Sequence, residues 1–120
     1  MERLATLCWL VLAAVHVAPA AVLFRPELAA AMYGASEQGV TQLLIVHRGA
    51  LFLGVAAVTL LAAFDPDARR AASLVAAISM IGFLAVYLAM GAPAALRTVA
   101  LVDAAALLPL AVVGWRAWAR

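Results

Sequence analysis

Ile45-Val46-His47-Arg48-Gly49-Ala50-Leu51-Phe52-Leu53-Gly54 sets a His beside an Arg inside an otherwise apolar run. That run extends from about Val40 to Phe64, longer than the roughly 20 residues that cross a bilayer core. Charge at such a depth costs from about 2.5 to about 17 kcal/mol, depending on how it is measured, so an intramembrane Arg finds a partner or a wet cavity. The stretch therefore implies two things together: a membrane-spanning helix, and a polar site elsewhere in the chain that receives its charge.

The rest of the sequence agrees with a membrane setting. Of 120 residues, 69% are hydrophobic and 12% charged, and the mean hydropathy is +1.13. A water-soluble fold of this length needs a polar coat that this composition does not supply. The net charge of +2 comes entirely from Arg, with no Lys. No basic cluster exceeds Arg69-Arg70, so the high isoelectric point is not a nucleic-acid footprint. The Ala-rich, Lys-free composition suggests a GC-rich bacterial genome and hence a bacterial inner membrane. The single Cys8 excludes an internal disulfide, a CxxC redox centre and a Cys-based zinc site.

Four spans are expected, at about 4–24, 40–64, 70–90 and 96–115, in one transmembrane domain over 1–120. The first imitates a secretion signal, with Arg3, the apolar run from Leu4 to Val15 and Ala18-Pro19-Ala20; we read it as a retained span. Within it Pro19 removes its own N–H and leaves the Val15 carbonyl without a helical donor, so a kink is expected beside His16. Pro26 to Tyr33 reads as a short interfacial helix with Pro26 at its first position, Glu27 at the positive dipole end, Tyr33 at headgroup level and Gly34 as the stop. Ser36 then caps the second span, with Glu37 in its first turn. Ala50 and Gly54 form a small-xxx-small pair suited to close helix approach. Asp65-Pro66-Asp67 is a tight turn, Asp65 capping and Pro66 at the first position of the next helix, and Gly91-Ala92-Pro93 is the turn into the fourth span. That span carries Asp103 and Pro109 and ends on an aromatic anchor, Trp115 and Trp118. The fold class is all-α: an integral membrane bundle of four transmembrane helices with an interfacial helix between the first two. Arg3, Arg69, Arg70, Arg116 and Arg120 fall on one side and Arg25 and Arg97 on the other, which puts both termini in the cytoplasm.

At about 1.5 Å of rise per residue, His16 sits roughly 18 Å up the first span, His47 roughly 9 Å down the second and Asp103 roughly 10 Å down the fourth. Tyr87 lies just short of the outer end of the third. Every span thus delivers a polar group to the outer leaflet. Asp103 is the natural ion-pair partner of Arg48, because a buried guanidinium needs a carboxylate that accepts two parallel bonds. His47 and Arg48 point about 100° apart and cannot both face one partner. His16 and His47 permit bis-imidazole haem ligation in principle, and Asp103 would complete a three-ligand metal set, but the plain reading of each His is a neutral imidazole bonded to a neighbouring helix. No metal site is assigned. No nucleophile elbow, phosphate loop or paired carboxylates occur, so nothing supports soluble catalysis. The candidate ligand-binding residues are therefore His16, His47, Arg48, Tyr87 and Asp103, expected to line one cavity for a small amphipathic ligand such as a lipid or quinone head group. One alternative is an accessory or assembly subunit, in a homo-oligomer or a larger membrane complex, whose polar residues serve packing only. Another is a small proton-coupled transporter or a haem or quinone oxidoreductase. Membrane lipids are the expected partners.

The pattern resembles the small four-helix bacterial membrane proteins of the DoxX-like and DUF4345-like kind. The likeness rests on Arg25-Pro26-Glu27 at the exit from the first helix, on Met32-Tyr33-Gly34 closing the interfacial piece, and on His47 through Gly54 at the head of the second span. The families carry a comparable Arg-Gly followed by a Gly-containing apolar run; His47 before the Arg departs from that pattern. The resemblance implies fold and topology and little chemistry.

Overall fold

A computed structural model of the chain describes residues 1–34 and 39–119; the expected Ser36 cap and Glu37 first turn lie outside them. The described residues form five α-helices and no strand. They are α1 (Glu2–Ala21), α2 (Leu28–Tyr33), α3 (Val40–Phe64), α4 (Arg69–Ala89) and α5 (Arg97–Trp118), with 3-10 turns at Pro66–Ala68 and Ala94–Leu96 leading into α4 and α5. All but α2 are long and apolar enough to cross a membrane.

Local chemistry explains the ends. Asp65 Oδ1 accepts from the Asp67 N–H at 2.9 Å with Pro66 at the first position, as the turn sequence predicts. Gly34 stops α2 in the left-handed region at φ 67°, its N–H donating to the Ala30 carbonyl at 3.0 Å. Two ends differ from expectation. The first span closes at Ala21 rather than near Phe24: the Leu23 and Phe24 N–H groups donate to Ala20 and Ala21, three residues back, so the α-helical pattern gives way to turns. The segment from Arg25 makes i→i+3 bonds first, Leu28 N–H to Arg25 and Ala29 N–H to Pro26, so α2 begins only at Leu28, and Glu27 pairs with Arg25 Nε at 3.0 Å. Pro19 is accommodated inside the last turn of α1, which continues to Ala21.

The long helices close a ring in the cyclic order α1–α3–α4–α5, each packed chiefly on two neighbours, with α1 on α3 the most extensive seam. The neighbours run antiparallel. Thr6 near the start of α1 donates to Ala63 near the end of α3, and Trp118 at the end of α5 reaches Ser73 near the start of α4. The seam between α1 and α3 is set by Gly49, not by the expected Ala50/Gly54 pair. A Cβ on Gly49 would sit 2.8 Å from the Leu23 backbone nitrogen, whereas one on Gly54, which faces outward, would meet nothing within 4 Å. Gly49→Ala is expected to lower stability by about 1–3 kcal/mol through overpacking against backbone. Gly54→Ala should be neutral or slightly stabilising through helix propensity. Thermal unfolding of the two variants in detergent compares them directly, and equal midpoints would remove Gly49 from the seam.

Close packing is concentrated toward the Met1 end. Trp9, Leu12 and Met80 are fully buried against Ala62, Ala63, Ala72, Ala76 and Ala106, whose small side chains let the helices approach. Polar bonds tie the same end together. Glu2 accepts from Arg69 Nη1 at 3.0 Å and Arg116 Nη2 at 3.2 Å, Arg69 Nε donates to the Ala62 carbonyl at 3.1 Å, and Arg70 Nε donates to the Ala117 carbonyl at 3.0 Å. These Arg residues, read in the sequence only as a side-of-membrane signal, also fasten four helix ends. The opposite end, capped by α2, holds the cavities described next. Large apolar side chains elsewhere face outward, Ile78 and Leu108 at 73% and 74% exposure among them. A monomer in water rarely presents so much apolar surface.

Candidate functional site

Arg48, Phe52 and Val55 recur at helical spacing along α3, so one face of the helix carries all three into the ring interior. They line an elongated apolar cavity of about 680 Å³ together with Phe83 and Tyr87 of α4. The guanidinium carbon of Arg48 lies 4.9 Å from the centroid of Phe52, 5.4 Å from Phe83 and 5.7 Å from Tyr33. Arg48 makes no hydrogen bond or ion pair to a described residue, so aromatic faces take the place of a counter-ion. Tyr87 stands behind this group, its ring 6.0 Å from that of Phe83. Tyr33, expected at headgroup level, turns inward and is half-buried. Burial pushes its phenol above the ordinary value, with Arg48 opposing and Asp103 adding to the rise, so at neutral pH it remains an O–H donor.

Phe52 also walls a second, smaller cavity of about 180 Å³, bordered by Val15, His16 and Pro19 of α1, Tyr33 of α2, and Thr98 and Asp103 of α5. His16 is 1% exposed. Its Nδ1 lies 2.7 Å from the Leu12 carbonyl; a carbonyl only accepts, so Nδ1 carries the proton. Nε2 is buried and has no partner. The ring rests 5.9 Å from Phe52. Pro19 has no N–H to donate to the Val15 carbonyl, and Val15 borders the same cavity. With the proton on Nδ1, His16 Nε2 and the Asp103 carboxyl oxygens give this cavity mostly acceptors. An unmet buried acceptor costs about 1–3 kcal/mol, which an incoming O–H or N–H donor recovers.

The expected single cluster divides. His16 and Asp103 share the smaller cavity, while Arg48 and Tyr87 share the larger, and Phe52 stands between them. His47 joins neither. It is exposed and borders a shallow surface depression with Pro26, Gln42 and Val46, because the 100° step from Arg48 turns it out of the ring. The two-His arrangement that haem would need in principle is not brought together, and no group of three or more His, Cys, Asp or Glu among the described residues is placed to hold a metal ion. Nor do Arg48 and Asp103 form the expected ion pair; the Arg head instead lies beside the rings of Tyr33, Phe52 and Phe83. Arg48 and Asp103 share Tyr33 and Phe52 as neighbours, so Arg48→Gln and Asp103→Asn should depart from additivity by only about 0.5–1 kcal/mol, short of the roughly 3 kcal/mol rescue of a broken buried pair. A strong rescue in the double variant would show that the two charges do meet.

Residue pattern alone missed Tyr33, Phe52 and Phe83. Phe52 was within reach of that reasoning, because it lies four residues after Arg48 and so on the same face. Comparison with known proteins gave no match to a family model, to a curated protein or to a solved structure.

Proposed function

We propose that the chain is a bilayer-spanning bundle that binds a small amphipathic molecule at its α2 end, its hydroxylated head in the smaller cavity and its apolar body in the larger. A lipid or a quinol head group has this chemistry. The observation that carries the reading is the unpartnered Nε2 of His16, nine-tenths buried and on the wall of a cavity that it shares with Asp103. The larger cavity lies within the roughly 300–1,000 Å³ of small-molecule sites and has the mostly apolar lining typical of them. Organic extracts of purified protein, assayed for quinone absorbance and for lipid, should contain the ligand in stoichiometric amount, and His16→Leu should lose it. Equal ligand in both proteins, or none in either, would sink the reading.

A second reading, an accessory subunit whose polar residues serve packing alone, draws on the outward turn of His47 and on the complete stacking of Arg48 by rings. Under it, His16→Leu changes neither bound lipid nor assembly. The Arg-rich Met1 end is assigned to the cytoplasm of a bacterial inner membrane by the positive-inside rule. A reporter fused at the end of α5 should be active only in its cytoplasmic form; activity on the far side would reverse the orientation. The likeness to DoxX-like and DUF4345-like proteins belongs to the same proposal and concerns fold rather than ligand.

A further inference from the structure

The two chambers at the α2 end differ in chemistry, and their order discriminates between amphipathic molecules. The larger is a trough between α3 and α4, whose seam is the least extensive of the four in the ring. Leu51, Val86 and Met90 on its wall are 60%, 57% and 75% exposed, so the trough opens sideways, toward lipid in the proposed bilayer. Arg48 is the one charged side chain among its described lining residues. None of the five N–H donors of that guanidinium is bonded to a described residue. The smaller chamber has the Asp103 carboxyl on its wall, also without a hydrogen bond or ion pair among the described residues. The Arg48 guanidinium is close to both chambers. Its carbon lies 4.9 Å from Phe52 and 5.7 Å from Tyr33, which border the smaller one, and 5.4 Å from Phe83 of the larger.

From the smaller chamber out to the bilayer, a ligand therefore meets acceptors, then a cation, then an open apolar wall. An unpaired guanidinium at membrane depth is costly, which favours a ligand that brings an anion. A quinol joins its ring directly to its tail and has no anion for Arg48. A fatty acid has its anion at one end, with no head left for the acceptors beyond. A phosphodiester is an anion with a substituent on each side, and the fork geometry of guanidinium suits its oxygens.

We propose that the ligand of this site is a glycerophospholipid. Its phosphate lies on Arg48, its hydroxylated end group beside Asp103, and its acyl chains leave between α3 and α4 past Gly82. This rests on the reading of the α2 end as a site for a donor-bearing head, and narrows that reading to one class of molecule. Glycerol hydroxyls and an ethanolamine ammonium both supply donors, whereas choline supplies none, and the experiment separates the three.

Gly82 gives the test a variant that spares the fold. It lies on the trough wall, and a Cβ there would meet nothing within 4 Å. Gly82→Leu thus fills the trough without displacing a neighbour, and it gains helix propensity. Gly54→Leu makes the same change at an equally open position outside both chambers. Full-length protein in neutral detergent is titrated with dioleoyl phosphatidylglycerol, phosphatidylethanolamine and phosphatidylcholine, and with decylubiquinol, and binding is followed by thermal shift.

The expected result is saturable stabilisation by phosphatidylglycerol, at least about fivefold weaker for phosphatidylcholine and reduced about 10- to 100-fold in Arg48→Gln. It should be lost in Gly82→Leu and kept in Gly54→Leu; the unliganded midpoint of Gly82→Leu distinguishes lost binding from lost fold. A phosphatidylethanolamine response with the same dependence on Arg48 and Gly82 supports the site with ammonium donors. Equal response to phosphatidylcholine, or a phosphatidylglycerol response unchanged in either Arg48→Gln or Gly82→Leu, overturns the proposal. Stabilisation by decylubiquinol alone overturns it and leaves the broader reading of the α2 end standing, whereas no response to any probe overturns both.

Discussion

Trp9→Ala is expected to lower the unfolding free energy by about 3 kcal/mol, at the lower end of the 3–5 kcal/mol typical of Trp or Phe truncation in soluble cores. Trp9 is fully buried in the cluster with Leu12, Met80 and the alanines of α3, α4 and α5. In the proposed bilayer, the unfolded reference state keeps the side chain in an apolar medium, so the transfer contribution largely vanishes and lost van der Waals contact remains. The alanine neighbours are too small to refill the space. Trp9→Phe, which keeps most of the contact, should cost no more than about 1.5 kcal/mol, as volume-similar apolar replacements do. Denaturation in mixed micelles measures both. A loss under about 1 kcal/mol for Trp9→Ala would show that the Met1 end is not the stable part of the ring.

Arg48→Met is expected to act on binding rather than on fold. Three ring contacts at about 0.5–1 kcal/mol each, less if they do not add, are set against an intramembrane Arg cost of about 2.5–3.5 kcal/mol on insertion scales. The two nearly cancel, and Met restores the packing volume, so stability should change by less than about 1.5 kcal/mol in either direction. A ligand whose body fills the larger cavity, by contrast, loses any bond that an ester or quinol oxygen along that body accepts from the guanidinium, and bonds to charged groups contribute about 1.5–3 kcal/mol. Affinity for a quinol or lipid should therefore fall by about 10- to 100-fold, read by ligand retention through purification. Marked unfolding with unchanged ligand content would reverse the assignment and make Arg48 a structural residue.

Contrast between particular residues shows what the sequence could carry. The long apolar runs and the Asp65-Pro66-Asp67 turn follow from hydropathy and local hydrogen bonding, and α3 spans the Val40–Phe64 range that they imply. Depth was equally legible: counting rise brought His16, Asp103, Arg48 and Tyr87 to one end. Azimuth was not, because it depends on which face each neighbouring helix covers. His47 and Arg48 share a depth and differ by one step around the helix, and that step sends one outward and the other inward. The same ambiguity misplaced the close approach at Gly54 when it lies at Gly49. Arg48 was matched to Asp103 because a carboxylate is the usual partner. Aromatic partners drawn from α2, α3 and α4 leave no comparable short-range signal, apart from Phe52. Nor did the sequence show that Glu2 joins Arg69 to Arg116, since that meeting exists only once the ring has closed.

Phe52 belongs to two cavities at once, touching His16 on one side and Arg48 on the other. A molecule that shifts this ring from one side alters the space available on the other. In the proposed complex, the fit of head and body on the two sides is therefore linked, and the linkage is reciprocal: whatever factor the seated head imposes on the body, the body imposes on the head. Its sign follows from which way the ring leans. One phenyl group thus borders two chambers, with acceptors in one and a cation in the other, and for the proposed ligand it would make them one cooperative unit.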